Sequence, residues 1–138
     1  MDIDANQIRG LIKAAFEARE KAYAPYSGFM VGAALISSTN EIYKGCNIEN
    51  AAYSPTNCAE RTAVFKAVSE GVREFNAIAI VGGDSKTGVV DYCAPCGVCR
   101  QVLLEFVDPE KFMVIMAKNE EDYLVKTLAE LLPLSFKL

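Results

Sequence analysis

Apolar positions recur at helical spacing through residues 5–22, where Ile8, Leu11, Ile12, Ala15, Phe16 and Arg19 fall on one stripe. Alanine and glutamate between them raise helix propensity. Ala24-Pro25-Tyr26-Ser27-Gly28 ends that helix and makes a loop. The pattern then changes. Residues 29–36 are almost continuously apolar, as in a strand buried on both faces, and Ser38-Thr39-Asn40 turns the chain into a second strand near 41–48. Helical spacing returns over 58–70, where Ala63, Val64, Ala67 and Val68 form the core stripe and Gly71 closes the helix. A short β-rich run at 76–81 predicts a third strand, and the polar, Gly-rich 82–95 predicts a loop. Pro95 sits where a helix begins, continued by 96–106. Strands at 112–117 and 123–125 follow, then a last helical turn or two at 127–132, stopped by Pro133.

The order α-β-β-α-β-α-β-β-α predicts a three-layer α/β/α fold, with a mixed five-stranded sheet and helices on both faces. Strand-helix-strand steps imply parallel pairs with right-handed crossovers. The links after the first and fourth strands are too short for a crossover, so those pairs should be antiparallel.

Composition narrows the class. A chain of 138 residues with 51% hydrophobic and 23% charged positions fits one compact domain over 1–138. Fourteen Lys and Arg stand against 18 Asp and Glu, a net charge of -4 without a basic run. Such a surface suits small neutral substrates better than a polyphosphate backbone, so no nucleic-acid partner is expected. Asp2, Asp4, Arg9, Lys13, Glu17, Arg19 and Glu20 break any signal-peptide core, and no apolar run would span a bilayer. The five cysteines cannot all pair within the chain, so a reducing compartment and a metal explain them better than disulfides. These features predict a soluble, cytoplasmic protein without a membrane partner. With no histidine in the chain, any zinc must be held by cysteine or carboxylate.

Two segments supply that chemistry: Cys58-Ala59-Glu60 and Pro95-Cys96-Gly97-Val98-Cys99. Cys96 and Cys99 stand three apart in the first turn of a helix, so both sulfurs can share a face. Cys58 opens another helix. Three thiolates leave the fourth tetrahedral position of zinc open for water. Glu60, two residues from the first sulfur, is a carboxylate that can carry protons for that water. Two helix N-termini would offset the excess negative charge, as would Arg61 through hydrogen bonds to a ligating sulfur. Either segment alone is ambiguous. Cys58-Ala59-Glu60 would serve as a buried thiol and a solvated glutamate, and Cys96-Gly97-Val98-Cys99 as a redox pair or half a structural zinc knuckle. Arg61 alone reads as a surface ion-pair residue. Cys93 leaves another arrangement open, a closed four-thiolate site that would be structural. Cys46 reads as a packed strand thiol.

With these residues in hand, the chain resembles the cytidine deaminases of the small, all-cysteine zinc class. The likeness runs over most of the length. Beyond the zinc segments it rests on Tyr23-Ala24-Pro25-Tyr26-Ser27, Phe29-Met30-Val31-Gly32-Ala33-Ala34-Leu35, Gly45-Cys46-Asn47-Ile48-Glu49-Asn50-Ala51-Ala52-Tyr53, Cys99-Arg100-Gln101-Val102 and Leu131-Leu132-Pro133 with Phe136. It departs at Ala94, where the family often carries serine or threonine, and in the length of 82–95.

The resemblance implies hydrolytic deamination of cytidine and deoxycytidine to the uridine forms and ammonia, in pyrimidine salvage, with one zinc ion per chain. It implies that Asn47 and Glu49 grip the ribose, that Phe29 packs against the pyrimidine, and that the Ala59 backbone meets the base. It further implies a homotetramer with shared active sites, to which Ala51, Tyr53 and Phe136 contribute across the interface. From the residues alone, Asn47 and Glu49 would also serve as a polar strand edge, and Phe29 as core. Three rivals follow from the same motifs: a deaminase of another small pyrimidine compound, a polynucleotide editor, and a non-enzyme, either a structural zinc module or a thiol redox protein.

Overall fold

The computed structural model describes residues 3–138. Its elements run α1 (Ala5–Arg19), β1 (Phe29–Ser37), β2 (Ile42–Cys46), α2 (Ala59–Ser69), β3 (Phe75–Asp84), α3 (Gly97–Leu104), β4 (Met113–Ala117), β5 (Tyr123–Thr127) and α4 (Leu128–Leu131). They form the α/β/α sandwich with five strands in the order β2-β1-β3-β4-β5. Burial alternates along the central strands. Ala33, Leu35, Ile78, Ile80, Val114 and Met116 face a core shared with α2 and α3. Ala34, Ile36, Ala77, Ala79, Val81, Ile115 and Ala117 face α1. An apolar run without alternation is therefore a strand covered twice.

Pairing differs from expectation at one place. β1–β2 and β4–β5 are antiparallel and β3–β4 is parallel, as the link lengths require. β2 and β3, however, are not neighbours. β1 lies between them and is antiparallel to both, so the β2-α2-β3 crossover spans one strand.

Glycine brings the layers together. A Cβ on Gly32 would stand 1.9 Å from the Ala15 carbonyl oxygen, and one on Gly45 would stand 2.5 Å from that of Ala59. α1 and α2 thus lie directly on the sheet, each on its own face, and any side chain at these positions would push a helix away.

Several boundaries also move. α1 stops at Arg19 and not at residue 22, because the Arg19 guanidinium turns into the sheet and donates to the carbonyls of Met30, Gly83 and Asp84. β3 runs on to Asp84 through two glycines expected in a loop. α2 closes as predicted, with Gly71 at φ 92°, its N–H on the Val68 carbonyl and that of Val72 on Ala67. Pro95 is not the first helical residue of α3. It precedes the N-cap, which is Cys96.

Candidate active site

The three sulfurs meet where two helices begin. Cys58 is the N-cap of α2 and Cys96 the N-cap of α3, with Cys99 one turn in. The Cys58 and Cys96 sulfurs lie 3.7 Å apart and those of Cys96 and Cys99 3.4 Å apart, all three within 4.8 Å of one another. Tetrahedral zinc with Zn–S bonds of about 2.3 Å needs sulfurs about 3.8 Å apart. Among the described residues Cys93 is not in this cluster, so three ligands are brought together and the closed four-thiolate arrangement is not.

The helix starts explain the arrangement. The Cys96 sulfur accepts the Cys99 N–H at 3.4 Å, as a capping side chain would. Cys58 makes no such cap bond and instead accepts Arg61 Nη2 at 3.3 Å. Charge follows geometry. The Cys58 thiol is held down to about 5, first by the hydrogen bond from Cys99 and then by Arg61. Cys99 is pushed up, first by its hydrogen bond to Cys58 and then by burial. The bond to Cys58 raises Arg61 further above its usual value. Arg61 Nε is buried and finds no partner among the described residues. Three sulfurs converging at this spacing are a donor set that a divalent, thiolate-binding ion would complete, with loss of the thiol protons.

Glu60 stands beside this cluster, 4% exposed, and burial pushes its carboxyl up to about 7. It lines a cavity of about 180 Å³ together with Val31, Asn47, Glu49, Cys58 and Cys96. Ala59, fully buried, and Cys93 and Ala94 lie along the same wall. Cys93 is pushed up to about 11 by burial.

The structure brings Asn47 and Glu49 to the cavity, although β2 ends at Cys46 and only a bridge at Ile48 continues it. Both side chains already have protein partners. Asn47 donates to the Phe29 carbonyl at 2.8 Å and accepts the Val31 N–H at 2.9 Å. An amide has further hydrogen-bonding capacity, so one N–H and one lone pair remain. Glu49 accepts the backbone N–H groups of Tyr26 and Ser27 at 2.9 and 3.2 Å and the Ser27 hydroxyl. The Ser27 hydroxyl first, then the backbone donors, hold its carboxyl below the usual range.

Phe29 is not a core residue. It is 44% exposed at the start of β1, with its ring against Gly82 beside Cys93. Tyr53 borders a second cavity of about 300 Å³ that shares Glu49 and Thr56 with the first. Ala51 and Phe136 line neither cavity of this chain, and both are exposed. The sequence reading missed Ser27, Val31 and Cys93 as walls or supports of the site. Only the glycines at 82 and 83, which let β3 run close beneath that wall, offered a signal.

Residues 5–116 match the family described as the cytidine and deoxycytidylate deaminase zinc-binding region. The chain is 51% identical over 129 residues to the cytidine deaminase of Sporosarcina psychrophila, covering 94% of this chain and 90% of that protein. It is 51% identical to that of Halalkalibacterium halodurans over 91% of both chains. It superposes on the crystal structure of cytidine deaminase from Burkholderia pseudomallei with a TM-score of 0.82 and 48% identity, covering 92% of this chain and 97% of that one. The chain belongs to the cytidine and deoxycytidylate deaminase zinc-binding family. It is an enzyme of that family with one zinc ion per chain, and the three-sulfur cluster fits that ion.

Proposed function

We propose that the protein hydrolyses cytidine and deoxycytidine to the uridine forms and ammonia, and that Cys58, Cys96 and Cys99 hold its zinc. The observation that carries this reading is Glu60: a carboxyl buried against the sulfurs, outside their cluster, and facing the cavity. When bound, the metal supplies a water acidic enough to act as a nucleophile at neutral pH. Glu60 takes a proton from that water and gives it to the ring nitrogen beside the amine-bearing carbon. The hydroxide oxygen bonds to that carbon; Glu60 then takes the proton of the new hydroxyl and passes it to the amine, whose C–N bond breaks as the C=O forms, so that it leaves as ammonia. A value near neutrality suits a group that must both accept and donate. Arg61 offsets thiolate charge at Cys58. Asn47 and Glu49 orient the sugar hydroxyls with the capacity left after their protein bonds, and Phe29 offers a ring face to the base. The Ala59 backbone meets the base edge.

We read residues 1–138 as one deaminase domain, since β5 and α4 complete the same sheet and core beyond the family match. A homotetramer with shared sites accounts for Tyr53 and Phe136, which are 78% and 71% exposed. Tyr53 holds φ 62° in a turn, a conformation unusual for an aromatic residue. Ala51 in that turn and the Phe136 ring would enter a neighbour's site. Sedimentation showing an active monomer would sink this part. Among the described residues no helix is long and apolar enough to cross a membrane. We place the enzyme in the cytoplasm, in pyrimidine salvage.

The test of the reaction is ammonia release from cytidine and deoxycytidine by zinc-loaded protein, with Glu60→Ala beside it. Release by the wild type alone supports both the reaction and the proton carrier. No release despite bound zinc overturns the substrate assignment.

A further inference from the structure

Residues 89–95 join the end of β3 to the zinc-side start of α3 and carry Cys93 and Ala94 into the cavity wall. They make no backbone-to-backbone hydrogen bond among the described residues. A segment without a ladder holds its place through side chains. At the α3 end the anchor is Arg100, which donates from Nε to the Pro95 carbonyl at 2.8 Å and from Nη1 to the Leu131 carbonyl at 2.7 Å. Before the wall, the anchor is Tyr92. Its hydroxyl donates to Asp122 at 2.5 Å, and Lys118 Nζ lies 4.6 Å from its ring centroid. Both partners belong to the β4–β5 turn, which is internally braced. Asn119 accepts the Asp122 N–H at 2.8 Å, and the Asp122 carbonyl accepts Lys118 N–H at 2.9 Å. Tyr92 and Cys93 also pack against the core shared with α2 and α3.

We infer that Tyr92 is a positioning residue: latched to Asp122 and Lys118, it holds the Cys93–Ala94 wall against the nucleoside cavity. The two anchors divide the labour. Arg100 fixes the carbonyl next to Cys96, so the sulfur cluster does not depend on the latch. Cys93 follows Tyr92 directly, so the wall does. The wall is tight at Gly82, where a Cβ would stand 2.8 Å from the Cys93 sulfur and 3.0 Å from the Phe29 ring. Loosening the latch therefore lets the wall and the Phe29 ring drift together. The consequence for catalysis rests on the deaminase reading above; the consequence for the segment does not.

Tyr92→Phe keeps the ring under Lys118 and its packing but loses the hydroxyl bond to Asp122. Asp122→Ala removes the acceptor from the other side. Two readouts apply to the zinc-loaded protein. In the first, each variant should raise KM for cytidine roughly three- to tenfold, with kcat within about twofold and zinc content unchanged. The double variant should do no more than either single, because both remove one bond. In the second, alkylation of Cys93 by iodoacetamide, read from its peptide mass, should speed several-fold in the variants. An unchanged KM and Cys93 rate with a lowered Tm would make Tyr92 merely structural and overturn the latch. Zinc loss would overturn the division between the two anchors. If the wild type deaminates nothing, the substrate assignment fails, and the Cys93 rate alone still decides the latch.

Discussion

The two ends of the cavity are built on opposite principles. At the sulfur end the protein leaves charge unfinished. The Cys58 thiol is held low and the Cys99 thiol pushed up by the hydrogen bond between them, Arg61 Nε has no partner among the described residues, and Glu60 is buried beside them. At the far end nothing is unfinished. Asn47 is spent on the β1 backbone and Glu49 on the Tyr26–Ser27 loop. One end is completed by what binds there. The other is already complete and gives a ligand only the surplus hydrogen-bonding capacity. Preorganisation at the second end spares a ligand the cost of ordering it, while strain in charge at the first makes the ion a structural member.

The largest expected effect belongs to the unfinished end. Glu60→Gln keeps shape and hydrogen bonding but cannot carry a proton. Turnover should fall by about 10²- to 10⁴-fold with zinc content unchanged, since proton transfer by a placed side chain is worth that much. Metal analysis beside steady-state rates checks it, and a variant turning over at the wild-type rate would remove Glu60 from the mechanism. Next comes Arg61→Gln. It withdraws the charge that favours the Cys58 thiolate, and support of this kind to a ligand is worth about 10- to 100-fold in metal affinity. Competition against a chelating dye measures it. Unchanged affinity would mean the helix starts suffice.

The unfinished end was also the end legible in the sequence. A sulfur chemistry needs particular residues at particular spacing, and Cys58, Glu60, Cys96 and Cys99 announce it within short segments. The strands were legible because burial on both faces writes an apolar run at 29–36. What escaped was everything settled across the chain. Nothing local says that β1 enters between β2 and β3, since link lengths constrain only consecutive strands. Nothing local says that Asn47 faces the β1 backbone, because its partners Phe29 and Val31 are 18 and 16 residues away. Gly32 and Gly45 did carry a signal. A lone glycine inside a strand marks close approach, and here each marks the helix lying on it.

A smaller effect sharpens the finished end. Asn47→Asp retains the acceptor for Val31 N–H but places a carboxylate oxygen against the Phe29 carbonyl, which then loses its donor. If Asn47 served only the sugar, aspartate would still accept from hydroxyls and cost little. If it is a staple for β1, aspartate should harm more than its charge suggests. We expect KM to rise about tenfold, as loss of one hydrogen bond worth roughly 1–1.5 kcal/mol implies. Zinc content should not change. An Asn47→Asp enzyme with wild-type KM would show that the β1 contact is incidental.

The smallest effect concerns pH at Glu49. Its folded value lies below its unfolded one, so what its charge contributes to the fold is fully present above the unfolded value and is lost only as pH falls through the folded one. Glu49→Gln removes that charge and puts either a weaker acceptor or a donor against two backbone N–H groups and a hydroxyl. The difference in Tm between wild type and Glu49→Gln should therefore hold constant from about pH 8 to about pH 5 and narrow only below about pH 4. Thermal melts of both proteins across that range measure it. A gap already closing near neutrality would mean that Glu49 is not satisfied by its loop. It would then resemble Glu60, waiting for a ligand, and the contrast between the two ends would fail at the residue where it is easiest to test.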